Sequence, residues 1–175
     1  TIGKQIEEML IIHSNIDKIN RMQLVADTLS QVGLNPRVIS PDRFPHQLSG
    51  GQSQRVMIAM ALILKPKLII ADEPTTALDV KTQAEILNLL QNQVRKDNIS
   101  LLLITHDLAV IAKLADRVSI MKDGELIDNG NTETVFKRLS HQYTNQILLD
   151  SIQKTLTPLR STEKKVLKKT RVKKP

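Results

Sequence analysis

Leu68-Ile69-Ile70-Ala71-Asp72-Glu73-Pro74 is a short apolar run that ends on two adjacent carboxylates and a proline. Apolar runs of this length bounded by turn signals read as buried strands of a parallel sheet. Before it, a helix is expected from Gly50 to about Leu64, stopped at Lys65-Pro66, where the proline disfavours helical geometry in its predecessor. After it, a polar turn leads to a helix from about Val80 to Lys96, with Ile86, Leu87, Leu90 and Val94 along one face. Leu101-Leu102-Leu103-Ile104 then repeats the strand pattern and ends in Thr105-His106-Asp107. Strands alternating with helices predict an α/β sheet that presents polar residues at strand C-terminal ends.

The flanks are consistent with this plan. Residues 4–13 and 20–33 show helical spacing through Ile6, Met9 and Leu10, then Met22, Val25, Leu29 and Val32, and Gly33 suits a C-terminal cap. Pro36, Pro41 and Pro45 make the following stretch a loop. Leu108 to Ala115 reads as a further crossover helix. Val118–Met121 and Glu125–Ile127 flank Lys122-Asp123-Gly124, a hairpin signal, and helices are expected near Thr132–Leu139 and His141–Leu149. The sequence shows no internal repeat.

The chain has 175 residues, enough for one domain with a sizeable core, and 41% hydrophobic residues, as soluble globular proteins have. Its longest apolar run, Val56 to Leu64, is about half of what a membrane-spanning helix needs. No secretory signal pattern opens the chain, which begins with Thr1 and so reads as a piece of a longer sequence. Absence of cysteine excludes disulfides and thiolate metal sites. The net charge of +7 is unevenly placed: residues 151–175 carry nine Lys or Arg and one Glu, leaving the first 150 residues near neutral. That basic tail is expected to be solvated and disordered, with an anionic membrane surface or nucleic acid as the other reading.

Two constellations carry chemistry. Ser49-Gly50-Gly51-Gln52 stands 23 residues before Asp72, and it places a capping hydroxyl and two glycines at a helix start. Uncovered backbone N–H groups and the positive end of the helix dipole favour a phosphate there. Asp72 and Glu73 at a strand end provide one carboxylate for magnesium and a second to accept a proton from water. His106, at the end of the next strand, is placed to sense a γ-phosphate. His13, His46 and His141 lack metal-ligand spacing. The combination points to nucleotide hydrolysis.

In order and spacing, Leu48-Ser49-Gly50-Gly51-Gln52, Leu68–Glu73, Ala77-Leu78-Asp79 and Thr105-His106-Asp107 resemble four motifs of the ATP-binding cassette (ABC) ATPases: signature, Walker B strand, D-loop and switch histidine. Arg55–Leu62, Phe44-Pro45-His46-Gln47 and His141-Gln142-Tyr143-Thr144 are similar to elements of the dipeptide, oligopeptide and nickel importer branch. The resemblance covers roughly residues 1–150, and it looks most like the C-terminal part of the first cassette of a fused double-cassette peptide importer. Ser53 and Gln142 depart from the branch pattern. The 175 residues hold no Gly-x-x-x-x-Gly-Lys-Ser/Thr: Gly3-Lys4 is the one Gly-Lys pair, and Gln5 follows it. The family's P-loop and Q-loop are expected to precede Thr1.

The resemblance implies a partial P-loop NTPase-like α/β domain, mainly parallel sheet flanked by helices, with a helical subdomain. Residues 1–48 would be part of that subdomain, residues 49–150 the signature helix and catalytic core with C-terminal helices, and 151–175 the tail. It implies ATP and Mg²⁺ as cofactors. Ser49, Gly50, Gly51 and Gln52 would read nucleotide held by a partner, Asp72 would serve the metal, Glu73 the attacking water and His106 the γ-phosphate, while Asp79 bridges two sites. Implied partners are a second cassette, transmembrane permease subunits and, indirectly, an extracytoplasmic solute-binding protein, at the cytoplasmic face of the cell membrane and without nucleic acid. A truncated importer ATPase, inactive alone, is the first functional expectation. A non-catalytic module lending its signature surface to a complete cassette is the second. In either case the sheet is expected to keep an apolar edge and face uncovered.

Overall fold

The computed structural model describes residues 1–138, and these form two compact units, Thr1–Ile104 and the segment from Thr105 onward. In the first unit α1 (Ile2–His13) and α2 (Lys18–Gln31) form a helical hairpin. Asp17 caps α2 by accepting the N–H groups of Ile19 and Asn20 at 3.0 and 3.1 Å. The hairpin ends at Gly33, whose φ of +79° supplies the left-handed turn expected of it. A loop with one 3₁₀ turn, Pro45–Gln47, leads to α3 (Gly50–Leu62). The chain continues through β1 (Leu68–Asp72), α4 (Val80–Asp97) and β2 (Ser100–Ile104).

β1 and β2 pair in parallel, Leu68 opposite Ser100 and Asp72 opposite Ile104, with α4 as the crossover. α4 ends at Asn98, which takes the left-handed conformation at φ 51° and returns its N–H to the Val94 carbonyl. One core spans α1 to β2: Ile2, Ile6, Leu29, Ala59 and Ile86 are fully buried within it, and Leu10, Leu90 and Ile69 are nearly so.

Both strands were expected to be buried; β1 is buried on one face only, and β2 is no more than half-buried on that face. Ile69 and Ala71 are covered, whereas Leu68, Ile70, Leu102 and Ile104 remain 48–63% exposed. A strand sends alternate side chains to opposite faces, and Ile69 and Leu101 pack into the core that Ile86 and Leu90 of α4 help build, on one side alone.

In the second unit α5 (Leu108–Leu114) precedes an antiparallel hairpin, β3 (Arg117–Lys122) and β4 (Glu125–Asn131), and α6 (Thr132–Arg138) follows. Asp123 and Gly124, at φ 51° and 82°, form the turn the sequence signals. β4 carries a register shift opposite Ile120 and Met121. Val118, Ile120 and Val135 form a separate small core. The structure is thus α/β with one parallel and one antiparallel pair, and the helix expected over His141–Leu149 lies outside the described residues.

Ile86 is the pivot of the larger core. Replacing it with alanine should cost about 2–5 kcal/mol, read as a lower denaturant midpoint for the chain.

Candidate functional site

α3 begins with a reciprocal cap. The Ser49 hydroxyl oxygen accepts the Gln52 N–H at 3.3 Å, and the Gln52 side-chain oxygen accepts the Ser49 N–H at 3.0 Å. The Ser53 N–H bonds to the Ser49 carbonyl at 2.9 Å. Of the orphan donors of this helix start, the N–H groups of Gly50 and Gly51 stay without a partner among the described residues. Ser49-x-x-Gln52 is a capping-box pattern visible in the sequence itself.

α4 begins beside it. Asp79 caps α4, accepting the N–H groups of Lys81 and Thr82 at 3.1 and 3.0 Å and the Thr82 hydroxyl at 2.6 Å. The Thr82 hydroxyl, and then its N–H, hold the Asp79 carboxyl below the usual aspartate range. The two helix starts approach closely because Gly51 has no side chain: a Cβ there would lie 2.6 Å from the Thr82 methyl. Between them is a cavity of about 320 Å³ bordered by Ser49, Gly50, Gly51, Gln52, Asp79 and Arg55.

Arg55 follows on α3. Its guanidinium donates to the Val32 carbonyl at the end of α2 at 2.9 Å and pairs with Glu85 of α4 at 3.1 Å. It passes so close to Gly33 that a Cβ there would sit 2.8 Å from it. One side chain therefore joins α2, α3 and α4.

The carboxylate pair is placed differently. Asp72 ends β1 and borders a second cavity, of about 190 Å³, between α3 and β1. Glu73 follows in the left-handed conformation, φ 44°, with its N–H bonded to the Ile104 carbonyl at 2.9 Å and its side chain accepting the Thr76 hydroxyl at 3.2 Å. Ala77, in the same turn, has φ 65°. His106 belongs to the second unit, where it is exposed just before α5; Asp107 caps that helix through the N–H groups of Ala109 and Val110. The structure thus brings Ser49, Gly50, Gly51, Gln52 and Asp79 to one cavity and Asp72 and Glu73 to the end of β1. Among the described residues no cluster of three or more His, Asp or Glu forms a metal cage.

As a phosphate site, the first cavity fits. It offers two uncommitted N–H groups at a helix start and no Cβ to fill the space above them. Its two acids are already engaged, Asp79 by three donors and Glu85 by Arg55.

A family model described as ABC transporter matches residues 3–76. Over 148 residues the chain is 47% identical to the dipeptide transport ATP-binding protein DppD of Escherichia coli K12, a match covering 85% of this chain and 45% of that protein. The same figures hold for the oligopeptide transport ATP-binding protein AppD of Bacillus subtilis. A dimeric, post-hydrolysis ATP-binding cassette, MJ0796, bound to ADP and Pi superposes with a TM-score of 0.65 at 34% identity, over 75% of this chain and 56% of that one. A metal-chelate type ABC transporter in an inward-facing conformation gives 0.69 at 26% identity, over 77% and 53%. The chain spans about half the length of the curated relatives it matches.

Two measurements follow from the helix-start geometry. Gly51→Ala gains at most about 1 kcal/mol of helix propensity, while overpacking against the stiff Thr82 costs about 1–3 kcal/mol. The variant should therefore lose stability, and adding Thr82→Ser, which removes the methyl and keeps the hydroxyl bond to Asp79, should restore it. A depressed folded-state pKa makes the Asp79 cap stabilising above the unfolded aspartate value, a contribution lost as pH falls through the folded one. An NMR titration of the Asp79 carboxyl should show a midpoint below that of an ordinary aspartate, and Thr82→Val should raise it.

Proposed function

Because the chain belongs to the ABC transporter ATPases, we propose that it is the signature and Walker B part of the ATP-binding subunit of a peptide importer. The observation that carries the reading is the cavity at the paired helix starts, where Ser49, Gly50, Gly51 and Gln52 meet Asp79. The close similarity to dipeptide and oligopeptide transport ATP-binding proteins supplies the transport class.

In this reading ATP with Mg²⁺ supplies a phosphoryl group whose transfer depends mainly on positioning and charge stabilisation. The Gly50 and Gly51 N–H groups donate to phosphate oxygens, with the α3 dipole behind them. The Ser49–Gln52 cap holds those donors in place, so no reorganisation is needed when an anion arrives. Asp72 would hold the Mg²⁺, which would supply charge stabilisation to the phosphates, and Glu73 would accept a proton from the attacking water. His106 contacts the γ-phosphate, and Asp79 links this cavity to the neighbouring site. In this reading the nucleotide read by Ser49–Gln52 is held by a second cassette, as the family resemblance implies. Permease subunits at the cytoplasmic side of the membrane receive the resulting motion, with a solute-binding protein acting through them. Among the described residues no helix is long and apolar enough to cross a membrane. The three-part organisation, a helical portion over 1–48, the signature helix and core over 49–150 and a basic tail over 151–175, belongs to the same reading.

A second reading is a module that lends its signature surface to a complete cassette and does not itself turn over ATP. Alone, the chain should show no hydrolysis above background; activity that disappears in Glu73→Gln would contradict this. With the complete E. coli relative as partner, Mg-ATP should promote association. Gly50→Asp separates binding from folding. An acidic residue in the first helical turn favours the helix dipole by about 0.3–1 kcal/mol, yet it places negative charge where phosphate is read. The variant should keep its thermal midpoint and lose ATP-promoted association by tenfold or more, and association indifferent to ATP would refute the signature role.

A further inference from the structure

Among the described residues, three charged side chains border the cavity at the paired helix starts: Asp79, Glu85 and Arg55. A site proposed to read phosphate is therefore lined by two negative charges and one positive. A carboxylate at an anion site repels the ligand unless another group offsets it. Asp79 is offset where it stands, by three donors and by the positive end of α4. Glu85 is placed differently. It lies past the first turn of α4, where the dipole effect has faded, and its side chain is 48% exposed. Its charge is met by the Arg55 guanidinium at 3.1 Å.

Arg55 does not need that partner to stay in place. Its Nη1 donates to the Val32 carbonyl at 2.9 Å, and the same nitrogen lies against Gly33, which has no side chain to displace it. A guanidinium offers five N–H donors, so the bonds to Val32 and Glu85 do not exhaust it. The positive charge is thus seated by the end of α2, whereas the negative charge beside it comes from α4. Removing the Glu85 charge changes the field of the cavity more than its shape.

From this we infer that Glu85 attenuates the phosphate site: its charge holds the cavity's affinity for polyphosphate below the level that the α3 start and Arg55 set without it. The inference rests on the phosphate reading of this cavity and names the residue that tunes it. Glu85 repels an approaching anion and also offsets the Arg55 charge, so both effects act in one direction. With glutamine in its place the lining carries one charge of each sign, and the amide oxygen still accepts a bond from the guanidinium. Affinity differences between related complexes lie mostly in the dissociation rate. Glu85 therefore shortens the time a polyphosphate stays bound.

The test titrates the full chain with inorganic tripolyphosphate at fixed ionic strength and follows the Gly50 and Gly51 amide resonances. Glu85→Gln should bind about three- to tenfold more tightly than the unaltered chain, and Glu85→Asp, which keeps the charge, should stay within about twofold of it. Glu8→Gln on α1 makes the same change of net charge outside the cavity lining and should leave the affinity unchanged. The gain in Glu85→Gln should shrink as salt is raised, because exposed charges are screened. Its thermal midpoint should move little, since exposed ion pairs contribute little to stability. Lost packing does not tighten binding, so the direction of the change separates tuning from a structural role. Glu85→Gln binding no tighter than the unaltered chain, an equal gain in Glu8→Gln, or a gain indifferent to salt overturns the inference and leaves the phosphate reading standing. Gly50 and Gly51 resonances that tripolyphosphate does not move in the unaltered chain overturn both together.

Discussion

The first unit depends on how closely α3 and α4 approach at their N-terminal ends. Gly51 makes that approach, because any side chain there would occupy the position of the Thr82 methyl. Both helices therefore direct the positive ends of their dipoles toward one cavity. The two ends are treated differently: Asp79 neutralises the start of α4, whereas the Ser49–Gln52 cap leaves two donors of α3 uncommitted. Arg55 then fixes the pair by reaching both Glu85 of α4 and the Val32 carbonyl of α2. Since α3 also carries Val56, Ala59 and Leu62 into the core, its start cannot shift without disturbing the packing behind it.

Most elements were legible because their signals are local. The helices over 50–62 and 80–97 and the hairpin turn at Asp123-Gly124 lie where periodicity and turn chemistry place them. Ser49 as a cap was readable from residue type, and so was the capping box with Gln52. Arg55 was not, because its partners, Val32 and Glu85, are 23 and 30 residues distant in sequence. Asp79 was read through family resemblance as a bridging residue; in this chain its carboxylate serves first as the cap of α4. The register of β1 against β2 follows from tertiary packing, which no local pattern encodes.

The strands show where an apolar run misleads. Leu68–Ala71 and Leu101–Ile104 are hydrophobic at every position, and that composition suits burial on both faces. Among the described residues one face of β1 is buried, the same face of β2 is half-buried, and the other face of both is exposed. The sequence records the environment the strands are suited to, and the structure records the part of it this chain supplies. Fold class therefore survived the comparison better than burial did.

The backbone at Glu73 has a further consequence. A side chain on a left-handed residue departs from its neighbours' alternation, so the direction of this carboxylate is set by the main chain more than by choice of rotamer. Residues held in such sparsely populated regions cost roughly 1–3 kcal/mol each, and Ala77 repeats the situation four positions later. The loop between β1 and α4 is thus a wound segment, fastened at one end by the Glu73 N–H to Ile104 and at the other by the Asp79 cap. Releasing either fastening would let the segment relax and turn the carboxylate away. Its aim is therefore a property of the whole loop, and substitutions well away from Glu73 can alter it without touching a charged group.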